Sequence, residues 1–187
     1  MQIHTNLKEP ISQKPVVLTI GFFDGLHRGH QLLIDRTLEV AKEKDLASLV
    51  VTFENHPSTF FQKENPKKLL YTSAARLDLI KKFPIDHLLV LSFDAEIAGK
   101  SAEEFLKDID RQAPIHHLIL GYDAVLGHQR QGDRPYMERL AERWGFSLEY
   151  LGPIIFNGEP ISSSAIRQAL LQGNLPLAEE LLGHPYP

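Results

Sequence analysis

His27 and His30 stand three residues apart in the stretch "LTIGFFDGLHRGHQLLI", residues 18–34, with Gly29 between them. Imidazoles donate hydrogen bonds to phosphate oxygens, and an adjacent phosphate raises their usual pKa of about 6.5, so such a pair suits charge developing on a phosphoryl group. The flanking residues fit that chemistry. An apolar run closes at Gly21, Gly25 permits a tight turn, and Gly29 admits the chain to an amphipathic segment whose first free N–H groups form an anion site. Two other readings compete: a metal pair, which lacks a third His or a carboxylate at helical spacing, and a purely structural pair. No metal ligand set is therefore expected. With 9 His and 12 Gly in the chain, H-x-G-H alone is a weak signal, and its place after the first strand is what makes it informative.

A phosphate-bearing ligand held at such a helix start would also draw on donors from the opposite wall of its pocket. The stretch "ISSSAIRQAL", residues 161–170, offers them: Ser162, Ser163 or Ser164 can cap the following helix, and Arg167 presents a planar fork to phosphate oxygens. By itself this stretch also reads as an ordinary serine cap with a solvated arginine. A third candidate, "AGKS" at residues 98–101, ends like a phosphate-binding P-loop, but Asp94 occupies the place of that loop's first glycine. Ser101 with Glu104 reads instead as a helix capping box.

These residues need elements to position them. Short β-branched runs alternate with amphipathic runs, which predicts an α/β fold, a parallel sheet with helical crossovers. Five strands are expected, at residues 16–20, 47–53, 87–93, 116–121 and 147–152. Helices are expected at 29–44, 73–82, 101–112, 133–144, 163–172 and 175–182. Right-handed crossovers gather the loops after the strand C-termini on one edge, where ligands of open α/β sheets bind. The one long irregular connection, residues 54–72, is expected to be functional or mobile.

Composition narrows the function further. The 187 residues suggest one domain, and 43% hydrophobic with 24% charged residues is ordinary for a globular chain. Zero Cys excludes a disulfide framework and any thiolate-ligated metal. A net charge of -4 argues against duplex nucleic acid as a partner, and no secretory leader or long apolar run points to a membrane. A cytoplasmic protein is expected.

The motifs together carry a resemblance. "GFFDGLHRGH" is similar to the G-x-F-D-x-x-H-x-G-H signature of the nucleotidyltransferase superfamily, and "ISSSAIRQAL" to its S-S-T-x-I-R signature, with Ser164 for the usual Thr. "VTFENHPSTFF" resembles the V-T-F-x-P-H-P segment of prokaryotic FAD synthetases, with Asn55 in place of Pro. "LILGYDAVLGHQRQGD" resembles their G-x-D-F-x-F-G-x-x-R-x-G-D segment: Gly121, Asp123, Gly127, Arg130, Gly132 and Asp133 match, while Ala124 and Leu126 stand where Phe is usual. "LSFDAEIAGKSAEEFL" also follows the family pattern, so the resemblance runs from Val16 to Tyr186.

The resemblance implies a Rossmann-like sheet of the nucleotidyltransferase type with helices on both faces, and an FMN adenylyltransferase that moves AMP from ATP to FMN, giving FAD and pyrophosphate. It assigns catalysis to His27 and His30 on the triphosphate and to Ser163, Ser164 and Arg167 on the departing pyrophosphate. Substrate binding falls to Gly21, Phe22, Phe23, Asp24, Gly25 and Gly29, to Asn55, His56 and Pro57 beside the flavin, to Gly121, Asp123, Arg130 and Asp133, and to Ser162. Phe22 stands where a polar residue is common and offers a phosphate only its backbone. Mg²⁺ would ride on the ATP phosphates with few protein ligands.

Several of these residues also have plain readings. His56 with Pro57 suits a rigid turn, Arg130 a solvated charge, Asp133 a helix N-cap and Asp24 a brace for its turn. Of His116 and His117, strand alternation sends one inward and one outward, and Trp144 is expected to cover the core. The chain is expected to be a single adenylyltransferase domain, residues 1–187, lacking the riboflavin kinase domain that follows a segment like "LLGHPYP" in two-module synthetases. That kinase would then sit on a separate protein or on a truncated C-terminal domain, and riboflavin itself would not react. The alternatives are a related nucleotidyltransferase with another phosphate acceptor and a flavin-nucleotide binding module without turnover.

Overall fold

In the computed structural model, residues 1–57 and 68–186 are described. The sheet has six strands: β1 (Gln2–His4), β2 (Val16–Ile20), β3 (Ala47–Phe53), β4 (His87–Leu91), β5 (Ile115–Gly121) and β6 (Ser147–Leu151). Their order is β1-β4-β3-β2-β5-β6, and every pairing is parallel. This corrects the expected count of five strands: Gln2–His4 adds an edge strand in register with His87–Leu89. Three residues are too few for hydrophobic alternation to register, so pairing with β4 makes this strand and periodicity cannot announce it.

The helices are α1 (Arg28–Glu43), α2 (Ser73–Ile80), α3 (Ala95–Gly99), α4 (Ala102–Gln112), α5 (Arg134–Trp144), α6 (Ser163–Leu171) and α7 (Leu175–Leu182). A two-stranded hairpin, β7 (Ile155–Phe156) with β8 (Glu159–Pro160), follows the sheet. Successive side chains of β2 leave the sheet on opposite faces, which gives the protein two cores. Leu18 and Leu49 join Phe105, Leu106 and Ile109 of α4 and Met137 and Leu140 of α5 on one face. Val17 and Val50 join Ile34 and Val40 of α1 and Ile80 of α2 on the other. A third cluster packs α6 and α7 against Leu70 and Tyr71.

Strand order reverses at β2, whose neighbours are β3 on one side and β5 on the other. A crevice therefore opens beyond the C-termini of β2 and β5, the switch point where open α/β sheets take ligands. Part of the long connection at 54–72, including the "STFF" end of the flavin-like segment, lies outside the described residues. His116 and His117 do alternate, with His117 buried and His116 exposed. Trp144 is partly buried and packs its edge against Phe146 over the first core.

Candidate active site

Beyond Ile20 the chain makes a 3-10 turn at Asp24–Leu26 and enters α1. The turn is tight: Phe23 and Leu26 adopt positive φ values of 57° and 42°, and Gly25 sits at 79°. A Cβ on Gly25 would lie 2.6 Å from the Leu70 side chain, so both its conformation and its neighbours require glycine. Bulky residues at positive φ store strain of about 1–3 kcal/mol each, held here by burial of the Phe23 and Leu26 side chains. No side chain caps α1; the His30 N–H turns back to the His27 carbonyl, which leaves the Arg28 and Gly29 N–H groups of the first turn for a ligand.

The strain delivers two imidazoles in one place. The rings of His27 and His30 stack with centroids 3.6 Å apart, and Phe23 meets His30 edge-on at 5.4 Å. Burial holds His27 at a pKa of about 4, and burial, then the neighbouring His27 and Arg76, push His30 well below its usual range. Both rings are thus neutral at pH 7 in the free protein, and both Nδ1 atoms lack a hydrogen-bond partner. A phosphate bound against the rings would favour their charged forms and draw the pKa values up.

A cavity of about 220 Å³ opens at the switch point. His27, Gly29, His30 and Leu33 line one wall. Ser162, Ser163 and Ser164 at the start of α6 line another, and the ends of β5 (Gly121, Tyr122, Asp123) and β6 (Leu151 to Ile154) complete it. Ser162 caps α6 by accepting from the Ala165 N–H at 3.2 Å. The positive ends of two helices, the second nine residues long, therefore meet at one cavity, an arrangement made for a polyanion.

Asp24 binds the two walls together. Its carboxylate accepts from Arg167 at 2.9 Å and from the Leu70 N–H at 3.0 Å, and its carbonyl accepts from the Ser163 hydroxyl at 3.0 Å. Burial pushes the Asp24 carboxyl up, against the pull of Leu70, Arg167, Tyr71 and Arg76. The guanidinium of Arg167 is divided between Asp24 and the Ser164 hydroxyl, and Arg167 does not line the cavity.

The remaining expected residues lie outside the cavity lining. Asp133 caps α5, accepting from the Tyr136 N–H at 3.0 Å, and Arg130 is exposed on its loop; neither lines the cavity. Asn55 uses both ends of its amide on the main chain of Phe93, at 2.9 and 2.8 Å. His56 packs against the Phe22 ring at 4.5 Å, and Pro57 follows it. Gly21 lies against the Phe23 ring. The loop 126–132 forms a narrow turn bridged at Leu126 and Gly132, with Ala124 and Leu126 packed on the first core. That loop rests on residues 98–102: the His128 N–H donates to the Lys100 carbonyl, and Ser101 and Glu104 form the expected capping box. "AGKS" is thus a seat for the loop.

Sequence reasoning missed Arg76. Fully buried, it donates to the carbonyls of Phe22, Phe53 and Glu54 and to the Thr52 hydroxyl, and its guanidinium lies 4.2 Å from the Phe22 ring centre. On an amphipathic helix an arginine reads as solvated, and only the apolar character of its neighbours Ala74 and Ala75 hints otherwise.

Comparison with known proteins decides the family. The FAD synthetase family model matches residues 9–165, which include the first motif, the crossover strands and the serine cap of α6. The chain belongs to the FAD synthetase family. Bifunctional riboflavin kinase/FMN adenylyltransferases are similar to it: that of Escherichia coli K12 is 34% identical over 98% of this chain and 58% of its own length. That of Pseudomonas fluorescens is 36% identical over 91% of this chain and 55% of its own length. The chain therefore spans somewhat more than half the length of these relatives. A crystal structure described as a macrolide-efflux protein from Streptococcus pneumoniae has the same fold, with a TM-score of 0.86 and 26% identity, over 99% of this chain and 60% of that one. Among the described residues no helix is long and apolar enough to cross a membrane.

Proposed function

We propose that this FAD synthetase-family chain is an FMN adenylyltransferase, transferring AMP from MgATP to FMN with release of pyrophosphate. The observation that carries the reading is the meeting of the stacked His27–His30 pair with the serine-capped start of α6 across one cavity at the switch point. In this reading the triphosphate lies between the two helix N-termini. A phosphate oxygen of FMN, largely dianionic at neutral pH because its second pKa is about 6, attacks the α-phosphorus in line. A new P–O bond forms as the α–β bridging bond breaks, and the electron pair leaves with pyrophosphate. No covalent enzyme intermediate and no general base is needed.

Catalysis is then positioning and charge stabilisation. His27, His30 and the α1 N–H groups take the charge growing on the phosphates, Ser163 and Ser164 hold the departing pyrophosphate, and Arg167 swings from Asp24 to join them. Mg²⁺ arrives with ATP. Asn55, His56 and Pro57 stand on the acceptor side, while Gly121 and Asp123 line the nucleotide cavity and Arg130 and Asp133 belong to the loop that continues from them.

One observation favours a second reading, a flavin-nucleotide binding module without turnover: Arg167 is engaged by Asp24 and Ser164 rather than directed at the cavity. The test is chromatography of products after incubation with MgATP and, separately, FMN, pantetheine phosphate, nicotinate mononucleotide and riboflavin. FAD from FMN alone supports the proposal. Products from another phosphate acceptor reassign the substrate, and FMN bound without FAD supports the second reading. Riboflavin, lacking the attacking phosphate, should give no FAD.

A further inference from the structure

Arg76 is a cation with 0% exposure on α2, and no carboxylate among the described residues lies within ion-pair distance of it. Its Nε has no hydrogen-bond partner. An apolar side chain of similar length would fill this space without the cost of burying a charge. Burial lowers its pKa only to about 10, so the guanidinium stays charged at pH 7.

What the charge holds is specific. Nη1 donates to the Phe22 carbonyl at 2.9 Å and the Thr52 hydroxyl at 2.7 Å, while Nη2 donates to the Phe53 carbonyl and, at 3.3 Å, to the Glu54 carbonyl. One planar fork therefore joins the outgoing end of β2 to the outgoing end of β3, a geometry an ammonium cannot reproduce. The guanidinium also lies 4.2 Å from the centre of the Phe22 ring, and that ring meets His56 at 4.5 Å. Guanidinium, phenyl ring and imidazole thus follow one another at the outgoing ends of β2 and β3, the imidazole meeting the phenyl ring edge-on.

The cavity itself is walled by α1, α6 and the ends of β5 and β6, where both helix N-termini favour the triphosphate. The second substrate must then approach from the β3 side, past Phe22 and His56. We infer that Arg76 is a positioning residue for the phosphate acceptor: its planar fork sets the Phe22–His56 edge and the chain leaving β3, and through them the acceptor's affinity. The inference rests on the adenylyltransferase reading for the identity of the acceptor, FMN.

The test is direct binding to wild type, Arg76→Lys and Phe22→Leu, with FMN followed by quenching of flavin fluorescence, MgATP by calorimetry, and folding by thermal unfolding. Arg76→Lys keeps the charge and loses the fork. It should weaken FMN about tenfold or more and leave MgATP within about twofold, a split that general destabilisation would not give. Should Arg76→Lys fail to fold, Phe22→Leu decides, since it keeps the backbone acceptors and removes only the ring, and it should show the same split. Equal weakening of both ligands, or unchanged FMN binding, overturns the inference. Wild type that binds FMN but forms no FAD removes the adenylyltransferase reading and leaves this comparison standing; wild type that binds no FMN overturns both.

Discussion

The Asp24–Arg167 pair is where the two halves of the site are fastened, and replacing Arg167 by Met tests how. The side chains are 5% and 16% exposed, and the closest approach is 2.9 Å. Breaking a buried pair from one side costs about 3–5 kcal/mol, because the remaining charge stays buried without its partner. Asp24 keeps the Leu70 N–H, so the lower end applies: about 3 kcal/mol, or roughly 6–12 °C in Tm for a chain of this size. The pH dependence has a definite sign. Burial already raises the Asp24 carboxyl, and removing Arg167 removes one of the influences that hold it down. A carboxyl whose folded pKa is raised contributes stability that is present below the usual 3.8 and lost as pH rises through the folded value, so the Arg167→Met deficit should be larger at pH 7 than at pH 5. Adding Asp24→Asn to Arg167→Met should recover most of the loss. Thermal unfolding of the single and double variants at both pH values is the assay. A single variant as stable as wild type, an equal deficit at the two pH values, or a double variant less stable than the single would refute the reasoning.

Other outcomes follow from the same geometry. Side-chain NMR of the free protein should show His27 and His30 neutral at pH 7, and saturating MgATP should raise the pKa of at least one, since a phosphate favours the imidazolium. Because both folded values lie below 6.5, the stability these histidines contribute is present above that pH and is lost as pH falls through about 4 for His27, so His27→Gln should flatten the acid limb of a Tm profile. Gly127→Ala should cost about 2 kcal/mol or more, since its φ is 78° and a Cβ would lie 2.3 Å from the Ala102 amide nitrogen. Gly145→Ala, with the same φ and open space around it, should cost only about 1 kcal/mol, and thermal unfolding of the two variants measures the difference.

The parallel sheet was legible because β2, β3 and β5 are buried and rich in β-branched residues, and the six helices expected from caps and periodicity are present with boundaries shifted by two residues at most. Two kinds of element escaped. Strand β1 and helix α3 are three and five residues long, too short for a period. The β7–β8 hairpin did leave a signal, since Asn157 and Gly158 both take positive φ at its turn and an Asn-Gly pair favours that geometry. Within the site, His27, His30 and the serines were found because the chemistry needs those types at that spacing, and the structure places them on one cavity. Asp24 was readable only as one of two roles, because its partner Arg167 lies 143 residues away. Arg76 was invisible for a similar reason: its partners are main-chain carbonyls, which carry no side-chain identity in a sequence.

The most direct measurement is a single-turnover chromatographic assay of FAD from FMN and MgATP with wild type and with His27→Ala/His30→Ala protein, alongside FMN binding to each. The stacked pair predicts FAD from wild type, at least a hundredfold less from the double variant on the order expected for lost charge stabilisation, and FMN binding retained by both. FAD formed equally fast without the two imidazoles, or none formed by wild type with both substrates bound, would contradict it.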